Sequence, residues 1–254
     1  MTDVHIHVER GPYTKSWIGR FAAQAAAQGL EEIYLLEHSH RFPEFLPMYA
    51  DVMAYSGYQR DWLARRSGLP LSAYTDCIAA MRRENFPVRI KWGLEVCWFP
   101  KHADKIKAVL ASYPFDFVTG SVHWLNGFGF DHKAAHWEHV DVDAAYRLYY
   151  AQMLSLAESG LFTGLAHPDS IKCFGHKASY DLTRTYELLA DALITNGVYA
   201  EQSCGLHNNY GAAEKGMNPD MLAVFLRKGV KLRSASDAHC PEDVGKGLVG
   251  LRLA

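Results

Sequence analysis

The chain has 254 residues, of which 26 are lysine or arginine, 28 are aspartate or glutamate and 13 are histidine. The net charge of −2, with both signs interspersed, argues against a nucleic-acid-binding stripe or a basic membrane-surface helix. No apolar run approaches the roughly 18 residues of a membrane-spanning helix, and the opening MTDVHIHVER lacks the order of a signal peptide. Five widely spaced cysteines without a C-x-x-C pair favour free thiols, so we expect a cytoplasmic protein.

Seven short apolar segments predict buried strands, and segments with helical periodicity lie between them. The first helix has Thr14 or Ser16 as a candidate N-cap and ends before Gly29. The predicted strands cover residues 2–8, 32–38, 88–99, 115–123, 161–169, 197–203 and 230–239. The predicted helices cover residues 16–28, about 50–66, 71–85, 102–113, 142–159, 179–196 and 217–229.

This alternation of strand and helix predicts a parallel α/β fold. Seven strand–helix units in 254 residues are too many for a small open sheet, so we predict a (β/α)7-type barrel in one domain, residues 1–254. An open doubly wound sheet is the alternative. The glycine-rich signatures of dinucleotide- and nucleotide-binding folds are missing from the sequence.

The first predicted strand carries two histidines, His5 and His7. Side chains on a strand alternate between faces, so these two imidazoles point the same way. Neutral imidazole is a good ligand for zinc, iron and similar ions. A His-x-His pair alone is a weak signal, because two surface or core histidines are the more common explanation of it.

The ends of the later strands strengthen the signal, since each places a histidine or an acid there. In a barrel the carboxyl ends of the strands carry the active site. Nitrogen and oxygen ligands without thiolate suit zinc, iron or manganese, and several such ions together can activate water and bind a phosphate ester. The sequence contains no G-x-S-x-G motif, which is the pattern that would indicate a serine nucleophile. The strand-end residues are His5, His7, Glu37, His38, Glu95, His123, His167, Glu201, Asp237 and His239.

Longer motifs around these residues resemble the polymerase-and-histidinol-phosphatase (PHP) superfamily, and within it the PHP-type histidinol-phosphatases. The matching segments span nearly the whole chain in the order of that family. They are HIH at 5–7, EH at 37–38, GLE at 93–95, GSVHWLNGFGFD at 120–131, GLAHPDSIKCFGH at 164–176 and SDAHCPEDVG at 236–245.

The resemblance implies a distorted (β/α)7 TIM-like barrel with two or three divalent ions, zinc, manganese or iron. By motif, the first ion would be held by His5, His7, Glu95 and Asp237, with Glu95 bridging to a second ion. The second ion would be completed by His123 and His167, and a third would be held in part by His38 and His239. A hydroxide at the ions would attack phosphorus, and Asp237 and His239 would be the catalytic residues.

Two segments depart from the pattern of the histidinol-phosphatases. The turn after HIH usually has a histidine for the third ion, whereas this chain reads VERGPYT, so Glu9 or Tyr13 substitutes or the third site is weak or empty. The sixth-strand segment usually has an arginine suited to phosphate, and His207 stands there instead. A phosphate needs cationic or N–H donors. The candidates are Arg10, Arg41, Lys172, Lys177 and His207.

The resemblance therefore implies hydrolysis of a small phosphate monoester, with L-histidinol phosphate as the substrate of the family, in histidine biosynthesis. A phosphodiesterase or nuclease-like hydrolase is a second hypothesis, although the near-neutral charge argues against a nucleic-acid partner. A barrel that binds metal without turnover is the third. The sequence indicates neither the metal nor the oligomeric state.

Overall fold

The computed structural model describes residues 1–254, and its centre is a sheet of seven parallel strands. Their order follows the chain, β1-β2-β3-β4-β7-β8-β9, and a hairpin, β5 and β6, forms a separate antiparallel pair. The strands are β1 Thr2–His7, β2 Glu32–His38, β3 Arg89–Cys97, β4 Phe117–Ser121, β5 Trp124–Leu125, β6 Phe128–Gly129, β7 Gly164–Leu165, β8 Tyr199–Ser203 and β9 Leu232–Ala235.

Contacts between the first and last strands nearly close this sheet into a barrel. Ile6 pairs in parallel with Ala238, and the backbone N–H of His7 donates to the carbonyl of Ala238 at 2.8 Å. The buried carboxylate of Asp3 accepts from the N–H of Ser236 at 2.9 Å and that of Gly245 at 3.0 Å. The predicted seven-stranded α/β barrel is confirmed, and the open-sheet alternative is wrong because the edge strands meet.

Nine α-helices connect the strands and cover the barrel. None of them combines the length and the apolar character needed to cross a bilayer. They are α1 Lys15–Ala27, α2 Ala50–Tyr55, α3 Gly57–Arg66, α4 Leu71–Met81, α5 Ala103–Leu110, α6 Val142–Glu158, α7 Thr183–Asn196, α8 Gly205–Tyr210 and α9 Pro219–Lys228.

The core has two parts, and the smaller one lies beneath the strand ends that carry the predicted site. Tyr34, Leu36 and His38 share one face of β2, because side chains two residues apart on a strand point the same way. Tyr199 and Glu201 likewise share one face of β8. The side chains of Tyr34, Leu36 and Tyr199 join Val4, Phe117 and Ala235 in an apolar cluster separate from the large core between the sheet and the helices. Polar ligands are thus placed above an apolar floor.

The predicted helix at 50–66 is two helices. Ser56 adopts an extended conformation, with φ −154° and ψ 150°, and its side chain accepts from the N–H of Gln59 as the N-cap of α3. A serine side chain that competes for backbone donors in this way interrupts the helix. The short helix α8 and the hairpin β5–β6 were not predicted, because both are too short for periodicity to identify them.

Two predicted strands are shorter than expected at their carboxyl ends. The segment at 161–169 is a strand only over Gly164–Leu165, and the segment at 230–239 only over Leu232–Ala235. In both, a predicted metal ligand has a left-handed backbone, with φ 27° at His167 and φ 55° at Asp237. L residues rarely adopt this region, and such outliers concentrate at functional sites. At His167 and Asp237 the chain therefore departs from the strand direction and places these side chains at the carboxyl end of the barrel.

Candidate metal centre

Glu95, buried at the end of β3, lies at the centre of the histidine cluster. Its Oε1 lies 2.8 Å from Nε2 of His123 and 3.3 Å from Nε2 of His167. Its Oε2 lies 3.4 Å from Nε2 of His5 and 3.3 Å from Nε2 of His7. One carboxylate thus faces two different pairs of imidazoles, which is the arrangement that a bridging ligand requires.

Asp237 completes the group on the His5 and His7 side. Its Oδ1 lies 3.6 Å from Nε2 of His5 and 3.5 Å from Nε2 of His7, and the two imidazole nitrogens are themselves 2.9 Å apart. The same oxygen lies 3.5 Å from Nε2 of His239. Nε2 of His38 lies 3.2 Å from Oε2 of Glu95. All eight predicted metal ligands therefore meet at the carboxyl ends of the strands.

The chemistry of these groups fits divalent cations. Nε2 of His5 and Nε2 of His7 are buried and only 2.9 Å apart, so a proton or a metal ion must lie between their lone pairs. Nδ1 of His7, Oε2 of Glu95 and Nδ1 of His167 are buried without a hydrogen-bond partner. Candidate ligand atoms of His5, His7 and Asp237 lie within 4.8 Å of one another, as do those of His5, Glu95 and His167. Nitrogen and oxygen donors of this kind suit zinc, manganese or iron.

Outer carboxylates orient four of the histidines through Nδ1. Glu201 at the end of β8 places both oxygens 3.0 Å from Nδ1 of His5, and Asp131 lies 2.6 Å from Nδ1 of His123. A carboxylate at Nδ1 sets the tautomer in which Nε2 carries the free lone pair, the usual support for a metal-binding histidine. From the sequence, Glu201 is predicted only as a strand-end acid and Asp131 has no predicted role, although Asp131 stands inside the GSVHWLNGFGFD segment.

Glu9 supports the other two histidines. Its Oε2 lies 3.1 Å from Nδ1 of His38 and its Oε1 lies 2.9 Å from Nδ1 of His239. Tyr13, the other candidate for the missing third-site histidine, instead donates its hydroxyl to Glu37 at 2.8 Å. Of the two substitutes considered from the sequence, only Glu9 contacts the histidine cluster.

The two central acids are held in their charged forms. Burial by itself would raise the pKa of Glu95, but the charge of His38 and the hydrogen bonds from His123 and His167 keep it well below its usual value. Burial also opposes ionisation of Asp237, yet the hydrogen bond from His7 and the charge of His5 lower its pKa. Anionic carboxylates among imidazoles are what a divalent ion needs.

A cavity of about 590 Å³ opens over the cluster, a volume suited to a small molecule. Its floor includes Glu95, His167 and Asp237, and its aromatic walls include Trp62 and Trp124. Substrate bound there would contact the metal centre on one side and aromatic rings on the other.

The candidate phosphate-binding cations lie in different places. Arg10 lines the cavity. Arg41 is engaged outside it, with Nε 3.3 Å from Glu37 and Nη1 donating to the carbonyl of Glu9 at 3.0 Å. Lys172 pairs with Asp169 at 2.7 Å. Lys177 and His207 do not line the cavity. Lys177 is exposed, and Nδ1 of His207 is hydrogen-bonded to the carbonyl of Ala212 at 2.7 Å.

Comparison with known proteins decides the family, because residues 3–203 match the PHP domain family. The chain belongs to the PHP domain family. A relative from Deinococcus radiodurans, named probable histidinol-phosphatase, is 30% identical over 254 residues, which covers 96% of this chain and 88% of the relative. The predicted enzyme class, a phosphatase among the hydrolases, is confirmed.

Solved structures share the PHP fold of this chain. A Listeria monocytogenes protein assigned as a histidinol phosphatase has a TM-score of 0.74 at 15% identity, covering 97% of this chain and 98% of that protein. Histidinol phosphate phosphatase from Lactococcus lactis, crystallised with zinc, L-histidinol and phosphate, has a TM-score of 0.67 at 20% identity, covering 94% and 86%. At these identities the likeness concerns the fold.

Proposed function

We propose that this chain hydrolyses a small phosphate monoester with the help of divalent metal ions, and that L-histidinol phosphate is its first candidate substrate. The observation that carries the proposal is the convergence of five imidazoles on the two oxygens of Glu95 at the floor of a small-molecule cavity. The 30% identical relative named probable histidinol-phosphatase supports the choice of substrate.

The ligand roles follow from which atoms face each other. His5, His7, Asp237 and Oε2 of Glu95 would hold one ion, and His123, His167 and Oε1 of Glu95 would hold a second. His38 and His239 offer Nε2 at the edge of the first group, each held there by Glu9. Bound ions of this kind neutralise phosphate charge and make water nucleophilic near neutral pH.

The chain's own residues then orient the reactants and move the proton. The attacking water loses one proton as its oxygen bonds to phosphorus, and the leaving alkoxide takes up one proton as its bond to phosphorus breaks. His239 lines the cavity beside Asp237 and its ring is fixed by Glu9, so when its Nε2 carries a proton instead of an ion it can donate that proton to the leaving oxygen. The aromatic walls exclude water from the remainder of the substrate.

Phosphate release from a panel of esters tests the proposal. The purified chain, loaded separately with zinc, manganese or iron, is assayed on histidinol phosphate, on other alkyl phosphates and on a phosphodiester. We expect monoester hydrolysis that Glu95→Ala abolishes and that His139→Asn, a change at an exposed histidine outside the cavity, leaves unchanged. Strong activity on other monoesters but none on histidinol phosphate would refute the substrate.

Two other outcomes would refute more of the proposal. Turnover of the diester alone would make the chain a phosphodiesterase. Bound metal without hydrolysis of any phosphoester would make it a non-catalytic metal-binding barrel.

A further inference from the structure

The side chains of two arginines in the cavity have no polar partner in the protein. Arg10, which follows Glu9 directly, and Arg66, at the end of α3, both line the cavity, and neither forms an ion pair or a hydrogen bond with the protein. Arg41 and Lys172 are each already paired with an acid. A guanidinium group at a cavity wall whose N–H groups have no acceptor in the protein is free to bind a ligand anion.

Arg66 is held in place although it has no polar partner. Its guanidinium carbon lies 4.1 Å from the centre of the Trp62 ring, so the charged plane is stacked on the indole face. Trp62 is itself fixed in the wall, since its ring packs on those of His40 and His132 at 4.8 and 4.7 Å between centres. Stacking restricts the side chain while the N–H groups at the edge of the guanidinium stay available.

Arg66 lines the same cavity as Glu95 and Asp237 of the candidate metal centre. Burial lowers the pKa of Arg66, the carboxylate of Glu9 raises it and the positive charge of Arg10 lowers it. Glu9, which contacts His38 and His239, lines the cavity together with both arginines. A phosphate bound at the cluster would therefore share the cavity with both guanidinium groups.

We propose that Arg66, stacked on Trp62 and assisted by Arg10, binds the phosphoryl oxygens that face away from the metal centre. It would thus replace the sixth-strand arginine that the resemblance to histidinol-phosphatases leads one to expect and that this chain lacks. The inference rests on the proposed phosphatase function, and it assigns an anion-binding role to a residue on the loop-and-helix segment between β2 and β3. Sequence reasoning missed Arg66 because it lies far from every strand end.

Arg65 offers a matched control, because it is the neighbouring exposed arginine on the same helix turn and does not line the cavity. Steady-state kinetics on the best monoester and inhibition by inorganic phosphate are measured for Arg66→Ala, Arg66→Lys and Arg65→Ala. A hydrogen-bonded charge contributes about 1.5–3 kcal/mol, which corresponds to roughly 10- to 150-fold in affinity. We expect KM and the inhibition constant of phosphate to rise in that range for Arg66→Ala, to rise less for Arg66→Lys and to stay unchanged for Arg65→Ala.

A second variant separates the stacking from the charge. Trp62→Leu keeps the guanidinium but removes its platform, so we expect a smaller rise in the phosphate inhibition constant than in Arg66→Ala. Equal values for Arg66→Ala and Arg65→Ala in an active enzyme would overturn the proposal.

Inactivity of the unaltered chain on every monoester would be a failure of the proposed function instead. The arginine would then be judged by calorimetric binding of inorganic phosphate to the zinc-loaded chain, which Arg66→Ala must weaken relative to Arg65→Ala. Equal phosphate affinity in that measurement would refute the role of Arg66 independently of catalysis.

Discussion

At the residue scale, Glu95 differs from the other proposed ligands because each of its two carboxylate oxygens faces a different pair of imidazoles. Its Oε1 faces His123 and His167, and its Oε2 faces the histidines of β1. Glu95→Ala should therefore lose more bound metal and more activity than His38→Ala, which removes one nitrogen at the edge of the cluster. Elemental analysis of the purified variants gives the ions per chain, and equal metal content in the two would count against a bridging role.

Glu9 allows a second test at this scale. It accepts from Nδ1 of both His38 and His239, so Glu9→Gln weakens the support of two rings at once. Loss of an outer carboxylate typically costs about 10- to 100-fold in metal affinity. We expect that loss in a competition titration against a chelator for Glu9→Gln but not for Tyr13→Phe, since the Tyr13 hydroxyl bonds only to Glu37. The same affinity in both variants would show that Glu9 has no part in the site.

At the scale of elements, the ends of the strands position the site more than the strands themselves. Asp237 follows β9 with φ 55°, and its carboxylate lies against Gly205, the first residue of α8. A β-carbon at Gly205 would overlap that carboxylate, so no other residue leaves room for Asp237 in this position. The short helix α8 thus fixes a proposed metal ligand by close packing of backbone against side chain.

Gly205→Ala should displace Asp237 and reduce the metal content together with activity. Gly19→Ala is the matched control, because Gly19 lies within α1 and a β-carbon there would meet nothing within 4 Å. Alanine is about 1 kcal/mol more favourable than glycine in a helix, so the control should be slightly more stable. Metal analysis and thermal unfolding of both variants check this expectation, and a Gly205→Ala protein with full metal content would contradict it.

At the scale of the whole molecule, the metal centre joins the two ends of the chain. Its proposed ligands come from β1 near residue 5 and from the segment after β9 near residue 237, where the barrel closes. An ion that binds only the folded chain stabilises it by about 2.7 kcal/mol at a concentration 100 times its dissociation constant. Removing the ions leaves buried imidazoles and carboxylates facing one another at this closure.

We therefore expect a chelator to lower the melting temperature, and added zinc or manganese to restore it. For a domain of about 250 residues, 1 kcal/mol corresponds to about 2–4 °C, so the shift should be about 5–10 °C. Scanning calorimetry measures it, and Glu95→Ala should show a smaller response to chelation. An identical melting temperature with and without the chelator would indicate that the cluster does not bind metal in the folded state.

Much of the fold and the convergence of most of the proposed ligands can be predicted from the sequence, because both depend on local order along the chain. Alternating strand and helix predict a parallel barrel, and a parallel barrel brings all carboxyl strand ends to one face. His5 on β1 and Glu95 on β3 are therefore neighbours in space although 90 residues separate them. Ligands inside strands, such as His7 and His38, need no loop conformation to come together, whereas His167 and Asp237 depend on the turns that follow their strands.

The roles that depend on loops and side-chain directions were decided only by the tertiary structure. The choice of Glu9 over Tyr13, the support of His123 by Asp131 and the free fork of Arg66 all depend on how loops and helices fold over the barrel mouth. Loop paths have no periodicity in sequence, and a side chain's partners there depend on residues far along the chain. The His5–His7 pair thus follows from strand alternation alone, whereas the cations that would bind its substrate follow from packing.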